Sequence, residues 1–215
     1  MAMYQKYLEP VVEEYCTGEY YRDVFTAKEE YFEKTGVVYE DDPEFEQRMC
    51  IFVDWYIFDR DLPGVDLPPI KYYFRKNREK LSDRELNIYK DFTTTIHSIF
   101  RLKRFTWNRR GLVITDLFSG KSHTVTDPEI NRGFARGDIF EARIIPFEGS
   151  YEFSQGFCFH PVEIESFIVN EIKKVRFQDK RRQTKLILQL AAMKLKHTRF
   201  QHIDIKHIYS FESRF

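Results

Sequence analysis

The spacing of apolar residues changes once along this chain, near residue 95, and that change constrains the fold more than any other feature of the sequence. Before it, apolar positions recur every three or four residues, the mark of helices that bury one face. Tyr4, Tyr7, Leu8, Val11, Val12 and Tyr15 share one such face, and Pro10 predicts a helix that begins there with the proline in its first turn. A second helix is expected over residues 20–34, stopped by Gly36, and a third is opened by Asp42–Pro43. A short helix over 70–78 follows. Ser82, with Glu85 three residues on, forms a capping box for another that runs to about Thr93.

Beyond residue 95 the chain turns to short segments rich in β-branched and aromatic residues. They are separated by Arg110-Gly111, Ser119-Gly120, Arg136-Gly137-Asp138 and Glu148-Gly149-Ser150. Five such segments within about 60 residues predict a small five-stranded antiparallel barrel-like sheet. After His160-Pro161 the helical period returns, through Val175 and again over 181–200, and HIDIKHI at 202–208 is expected to be a strand. The fold class is therefore α+β: an N-terminal helical layer over 1–96, the sheet over 97–160, and basic C-terminal helices over 161–215 packed on it. Without low-complexity linkers, the three regions form one unit.

Within the third helix lies CIFVDWYIFD, residues 50–59. Phe45, Met49, Phe52, Val53 and Tyr56 form one face, and Ile51, Trp55 and Phe58 add another. From Met49 onward the helix is apolar nearly all round, as in a helix buried on several sides. Asp54 occupies its one polar strip. A charged, unpaired carboxylate there costs several kcal/mol, on the order of what burying any lone ion costs, so Asp54 must meet water or a partner.

Composition narrows the function classes. No run of eighteen apolar residues exists, which predicts no membrane span, and MAMYQKYLEP lacks the basic start and apolar core of a signal peptide. Three scattered cysteines, Cys16, Cys50 and Cys158, suit free thiols in a reducing cytoplasm. The net charge of zero hides an asymmetry: residues 1–62 carry −10, residues 63–162 carry +4 and residues 163–215 carry +6. Acidic and basic ends of this kind attract each other within one fold or between copies.

Motifs for chemistry are sparse. Asp54, Asp59 and Asp61 do not converge on one helix face, so no paired-carboxylate site is expected, and Asp59 and Asp61 are assigned to the helix end and the following turn. His197, His202 and His207 fall on different faces, and no metal or cofactor is expected. No Gly-rich phosphate loop occurs. A PilZ-like barrel for cyclic di-GMP needs Arg-x-x-x-Arg and Asp/Asn-x-Ser-x-x-Gly. Here Arg104 and Arg109 are five apart, and Asp116-Leu-Phe-Ser119-Gly120 misplaces serine and glycine.

Strand alternation in IFRLKRFTWNRRG places Arg101, Lys103, Phe105, Trp107 and Arg109 on one face, with Arg110 adjoining. Cations for phosphates beside aromatics for bases make this a candidate surface for single-stranded nucleic acid. KKVRFQDKRRQTK at 173–185 adds seven more basic residues, and the apolar band of 187–195 is expected to pack on the sheet or form a protein-binding or self-association surface.

The segments FVDWYIFDRDLPG, LSDRELNIYKD, IFRLKRFTWNRRGLVITDLFSGKSHTV and GFARGDIFEARIIPFEGSYEF, spanning residues 49–153, resemble a group of uncharacterised bacterial proteins, many of which carry a SEC-C zinc-binding segment. That Cys-rich segment is absent from this sequence, so the resemblance implies an architecture and no metal. Asp54 and Arg143 both lie in the shared pattern, one on the helix and one on a barrel strand. The expectation is a buried ion pair between them, whose loss through Asp54→Ala would cost about 3–5 kcal/mol. The function expected from all this is a non-enzymatic interaction or adaptor module, with nucleic-acid binding as the alternative.

Overall fold

A computed structural model of the chain describes residues 3–107, 110–126 and 133–211. The N-terminal layer consists of α1 (Gln5–Cys16), α2 (Tyr21–Thr35), α3 (Phe45–Phe58), α4 (Pro69–Asn77) and α5 (Asp83–Phe92). The strands are β1 (Ile96–Phe105), β2 (Gly111–Asp116), β3 (Ser122–Thr126), β4 (Ile139–Phe147) and β5 (Ser150–His160). They are followed by α6 (Glu165–Val175), α7 (Lys180–Arg199) and the one-turn α8 (Ile205–Ile208). The α+β organisation and the switch of period near residue 95 are as expected.

Local chemistry explains most element ends. Ser82 accepts from the Glu85 N–H and Glu85 reaches back to the Ser82 N–H, closing the capping box that starts α5. Gly36 ends α2 with a φ of +89°, a conformation that a side chain would strain. Three expectations are corrected. Pro10 lies inside α1, because burying Tyr4 beside Val11 and Tyr15 outweighs the one N–H donor that proline removes. Asp42 does not cap α3, since its carboxylate accepts from the Tyr39 N–H and pairs with Arg199 at 2.6 Å. HIDIKHI forms a turn and α8 in place of a strand, with Asp204 accepting from the Lys206 N–H.

The strands pair in the order β1-β2-β3-β5-β4, and β4 returns to β1, so the sheet closes on itself. It is mixed, which corrects the antiparallel expectation: β3 and β5 run parallel where Val125 meets Tyr151. The eleven-residue β5 pairs with β4 at both of its ends, and Tyr151 near its start also meets β3 on the other edge, which closes the ring. Inside the ring sit Phe100, Leu102, Leu112, Ile114, Phe140 and Phe153. Outside it are two further cores. One is helical and takes Ile145, Phe147 and Cys158 from the sheet, and the other joins Ile99 and Ile139 to α6 and α7. Gly156 allows α3 to lie directly on β5, since a Cβ there would come within 2.8 Å of the Ile51 backbone nitrogen. Among the described residues no helix is long and apolar enough to cross a membrane.

Candidate functional site

The polar strip of α3 faces a groove of about 590 Å³ between α1 and α3, closed at one side by Gln155 of β5. The helical period builds its walls. Leu8 and Val12 from α1 and Met49 and Val53 from α3 supply an apolar floor, one turn apart on each helix. Glu9 and Glu13 stand exposed on the rim, and Asp54 lies half-buried deeper in. Among the described residues the lining thus holds three carboxylates and no cation.

Behind Asp54 the chain buries a layer of charge between the two outer cores. Glu141 is 0% exposed and Arg143 2%, both facing outward from β4, and His97 stands opposite Arg143 in the β1–β4 register. The imidazole Nε2 lies 2.9 Å from Glu141 Oε1, and its Nδ1 lies 3.7 Å from Asp59 Oδ2. Arg143 donates to the Asp59 carboxylate and to Thr95 Oγ1 at 2.9 Å, with its guanidinium 4.8 Å from the Phe58 ring centre. Lys180, at the start of α7, reaches in to donate to the His97 carbonyl at 3.0 Å.

Arg143 therefore holds Asp59, not Asp54, which corrects the expected ion pair. Five residues turn a helix by about 140°, so the two acids cannot both present themselves to one guanidinium. Asp59, at the end of α3, points to the sheet. Asp54 and Arg143 instead share the wall of a void of about 10 Å³ with His97, Glu141 and Gly156. That is room for about one water. Glu141 Oε2, Arg143 Nε and His97 Nδ1 have no protein partner in bonding geometry.

The two acids titrate in opposite directions. Burial raises the Asp54 carboxyl to about 6, against the attraction of Arg143 and His97. The Ser154 hydroxyl lies beside it outside bonding geometry. For Asp59, burial also pushes upward, but direct contact with Arg143 and the field of His97 hold its carboxyl below the usual range. Burial lowers Lys180. Cys50, one turn before Asp54 on the groove wall, has its thiol raised by burial and by the Asp54 charge.

The other candidate surface is only partly assembled. A β-bulge falls between Leu102 and Arg104, so Lys103 is the extra residue and the alternation shifts by one. Phe105 consequently turns to the barrel interior opposite Leu112 and leaves the face that was to carry it. Arg101 is paired with Glu165 at 2.5 Å. Lys103 and Arg104 are exposed, Trp107 is fully so, and Arg110 is exposed at the start of β2. Arg109 lies outside the described residues. Asp116 of the PilZ-like pattern accepts from the Ser119 hydroxyl and the Phe118 N–H in its own turn and from the Ser98 hydroxyl on the neighbouring strand β1.

Sequence reasoning placed Asp59 at the helix end, where it is found, but missed its pairing with Arg143, and it missed His97, Glu141 and Lys180. The signal was present in IFEARIIPF, where Glu141 and Arg143 alternate in an otherwise apolar strand and so face a common partner layer. Among the described residues no group of three or more His, Cys, Asp or Glu is placed to hold a metal ion. The chain belongs to a family of unknown function, DUF7986, whose model matches residues 9–197. No curated protein and no solved structure matches it.

Proposed function

We propose that this member of a family without an assigned activity is a non-enzymatic interaction module whose receptor is the α1/α3 groove, and that it takes a cationic segment carrying an apolar anchor. The carrying observation is the lining itself: an apolar floor of Leu8, Val12, Met49 and Val53, with Glu9 and Glu13 on its rim, Asp54 deeper in, and no cation among the described residues. Apolar anchors at helical spacing supply affinity in such grooves, and complementary charge supplies orientation and a fast encounter. The volume suits a few anchor side chains. Free thiols at Cys16, Cys50 and Cys158 support a reducing compartment for such an adaptor.

The test uses a fluorescein-labelled designed helix with leucines along one face and lysines along the other. Anisotropy should report saturable binding that weakens with salt and is lost in Val53→Arg. Unchanged affinity in Val53→Arg would refute the groove as the receptor. A second reading, single-stranded nucleic acid on the outer face of β1, is favoured by fully exposed Trp107 close in sequence to exposed Lys103 and Arg104. It expects a labelled oligonucleotide to bind with steep salt dependence and Trp107→Ala to weaken it; no binding at low salt removes it.

A further inference from the structure

We infer that the segment received by the groove is the α6–α7 corner of a second copy of this chain, in a head-to-tail contact; the inference rests on the groove reading above. Much of the charge asymmetry of the sequence is satisfied within the fold. Lys194 pairs with Glu44, Arg199 with Asp42, Lys76 with Glu14, and Arg60 with Asp23 and Glu30. Of the exposed charge that remains, two groups of opposite sign are set out on separate surfaces. One is the groove rim, where Glu9 and Glu13 are exposed. The other is the corner between α6 and α7, where Lys173, Arg176, Arg181, Arg182 and Lys185 are exposed.

The corner also carries an anchor. Phe177 is 86% exposed, with the Arg176 guanidinium 4.5 Å from its ring centre. An aromatic ring held in water beside a cation is what a groove with an apolar floor and an acidic rim would take in. Because Phe177 is in solvent, the corner does not occupy the groove of its own chain. The contact must then be between copies. Docking Phe177 over Leu8, Val12, Met49 and Val53 brings Arg176, Arg181 and Arg182 toward Glu9 and Glu13. One copy presents the corner and the next presents the groove, so the contact is heterologous, and it builds a closed ring or an open chain according to the rotation it imposes.

Sedimentation equilibrium on the full chain tests this between about 1 µM and 1 mM. The average mass should rise with concentration. The rise should shrink between about 0.1 M and 1 M salt, as the Debye length falls from about 10 Å to about 3 Å. Glu9→Lys with Glu13→Lys, and separately Arg181→Glu with Arg182→Glu, should each give a monomer. Mixing the two variants should restore association at a 1:1 ratio, since the intact corner of the first meets the intact groove of the second and the reversed charges of the other two surfaces also match. A misfolded variant would not recover in this way, nor would a symmetric groove-to-groove contact. A wild-type chain that stays monomeric up to about 1 mM, or a mixture that fails to combine, overturns self-association. If that monomer still binds the designed cationic helix, the groove remains a receptor for another chain. If it binds neither, the groove reading falls as well.

Discussion

Replacing Asp54 by Asn should make the protein more stable at neutral pH, by an amount that the titration of this one carboxyl sets. Its folded value of about 6 lies above the ordinary 3.8, so the folded state holds the proton more tightly than the unfolded chain does. For an acid raised in this way, the contribution to stability is fully present below pH 3.8. It declines as pH rises and is gone above the folded value of about 6. At about 1.4 kcal/mol per tenfold, the ionised carboxylate then costs about 3 kcal/mol relative to its protonated form, and at pH 5 the cost is roughly half of that. Asn is close in shape to the protonated acid and carries no charge. Urea unfolding of wild type and Asp54→Asn, from pH 5 to pH 8, should therefore show a gain for the variant of about 1.5 kcal/mol at pH 5, rising to about 3 kcal/mol at pH 7 and then level. A variant less stable than wild type at pH 7, or a difference that does not change with pH, would refute the argument. The earlier expectation of a loss rested on Asp54 holding Arg143, a role the structure gives to Asp59.

That loss moves to Asp59→Asn, which leaves the guanidinium of Arg143, 2% exposed, without its carboxylate. Because the Asp59 side chain is itself 28% exposed, unfolding free energy should fall by about 1–3 kcal/mol, and a denaturation midpoint within error of wild type would rule out the pair as a structural tie. Gly156→Ala should destabilise by about 1–3 kcal/mol, because the added methyl meets the Ile51 backbone and α3 must lift off β5. A neutral result by thermal melting would mean that the helix has slack. Cationic-helix binding to the groove should weaken as pH falls through about 6, when Asp54 protonates, and Asp54→Asn should flatten that profile while leaving the salt dependence due to Glu9 and Glu13. The groups acting on Asp54 are Arg143 from β4, His97 from β1, Ser154 from β5, and Asp59 and Cys50 from α3. A profile unchanged by Asp54→Asn would assign the pH dependence to another of these or to the rim.

Local rules carried the sequence reading as far as the elements and no further. The capping box at Ser82 and the stop at Gly36 involve residues within four positions of each other, and both were legible. The bulge at Lys103 was not. It depends on how β1 must bend to close the ring against β2 and β4, and a shift of one residue was enough to turn Phe105 inward. The parallel β3–β5 contact likewise follows from closure, since Tyr151 meets Val125 of β3 on one edge while it pairs with Pro146 of β4 on the other. The groove was invisible because its two walls lie some forty residues apart in sequence, and each wall alone is an ordinary helix face.

Asp54 itself was legible as a problem and misassigned as a solution. The apolar surroundings announced a costly carboxylate, but which acid of α3 meets the sheet depends on where the helix ends against β4. Arg143 faces outward from β4 with His97 opposite, and the end of α3 delivers Asp59 to that position with the angle of a C-cap residue. Asp54 is then turned toward α1. Two carboxylates on one helix thus have opposite consequences for stability, one satisfied by a buried guanidinium and one left ionised at the floor of an acidic groove. A cation entering that groove would offset what the fold leaves unbalanced at Asp54, so the same geometry that makes this acid a liability for stability makes it a source of affinity.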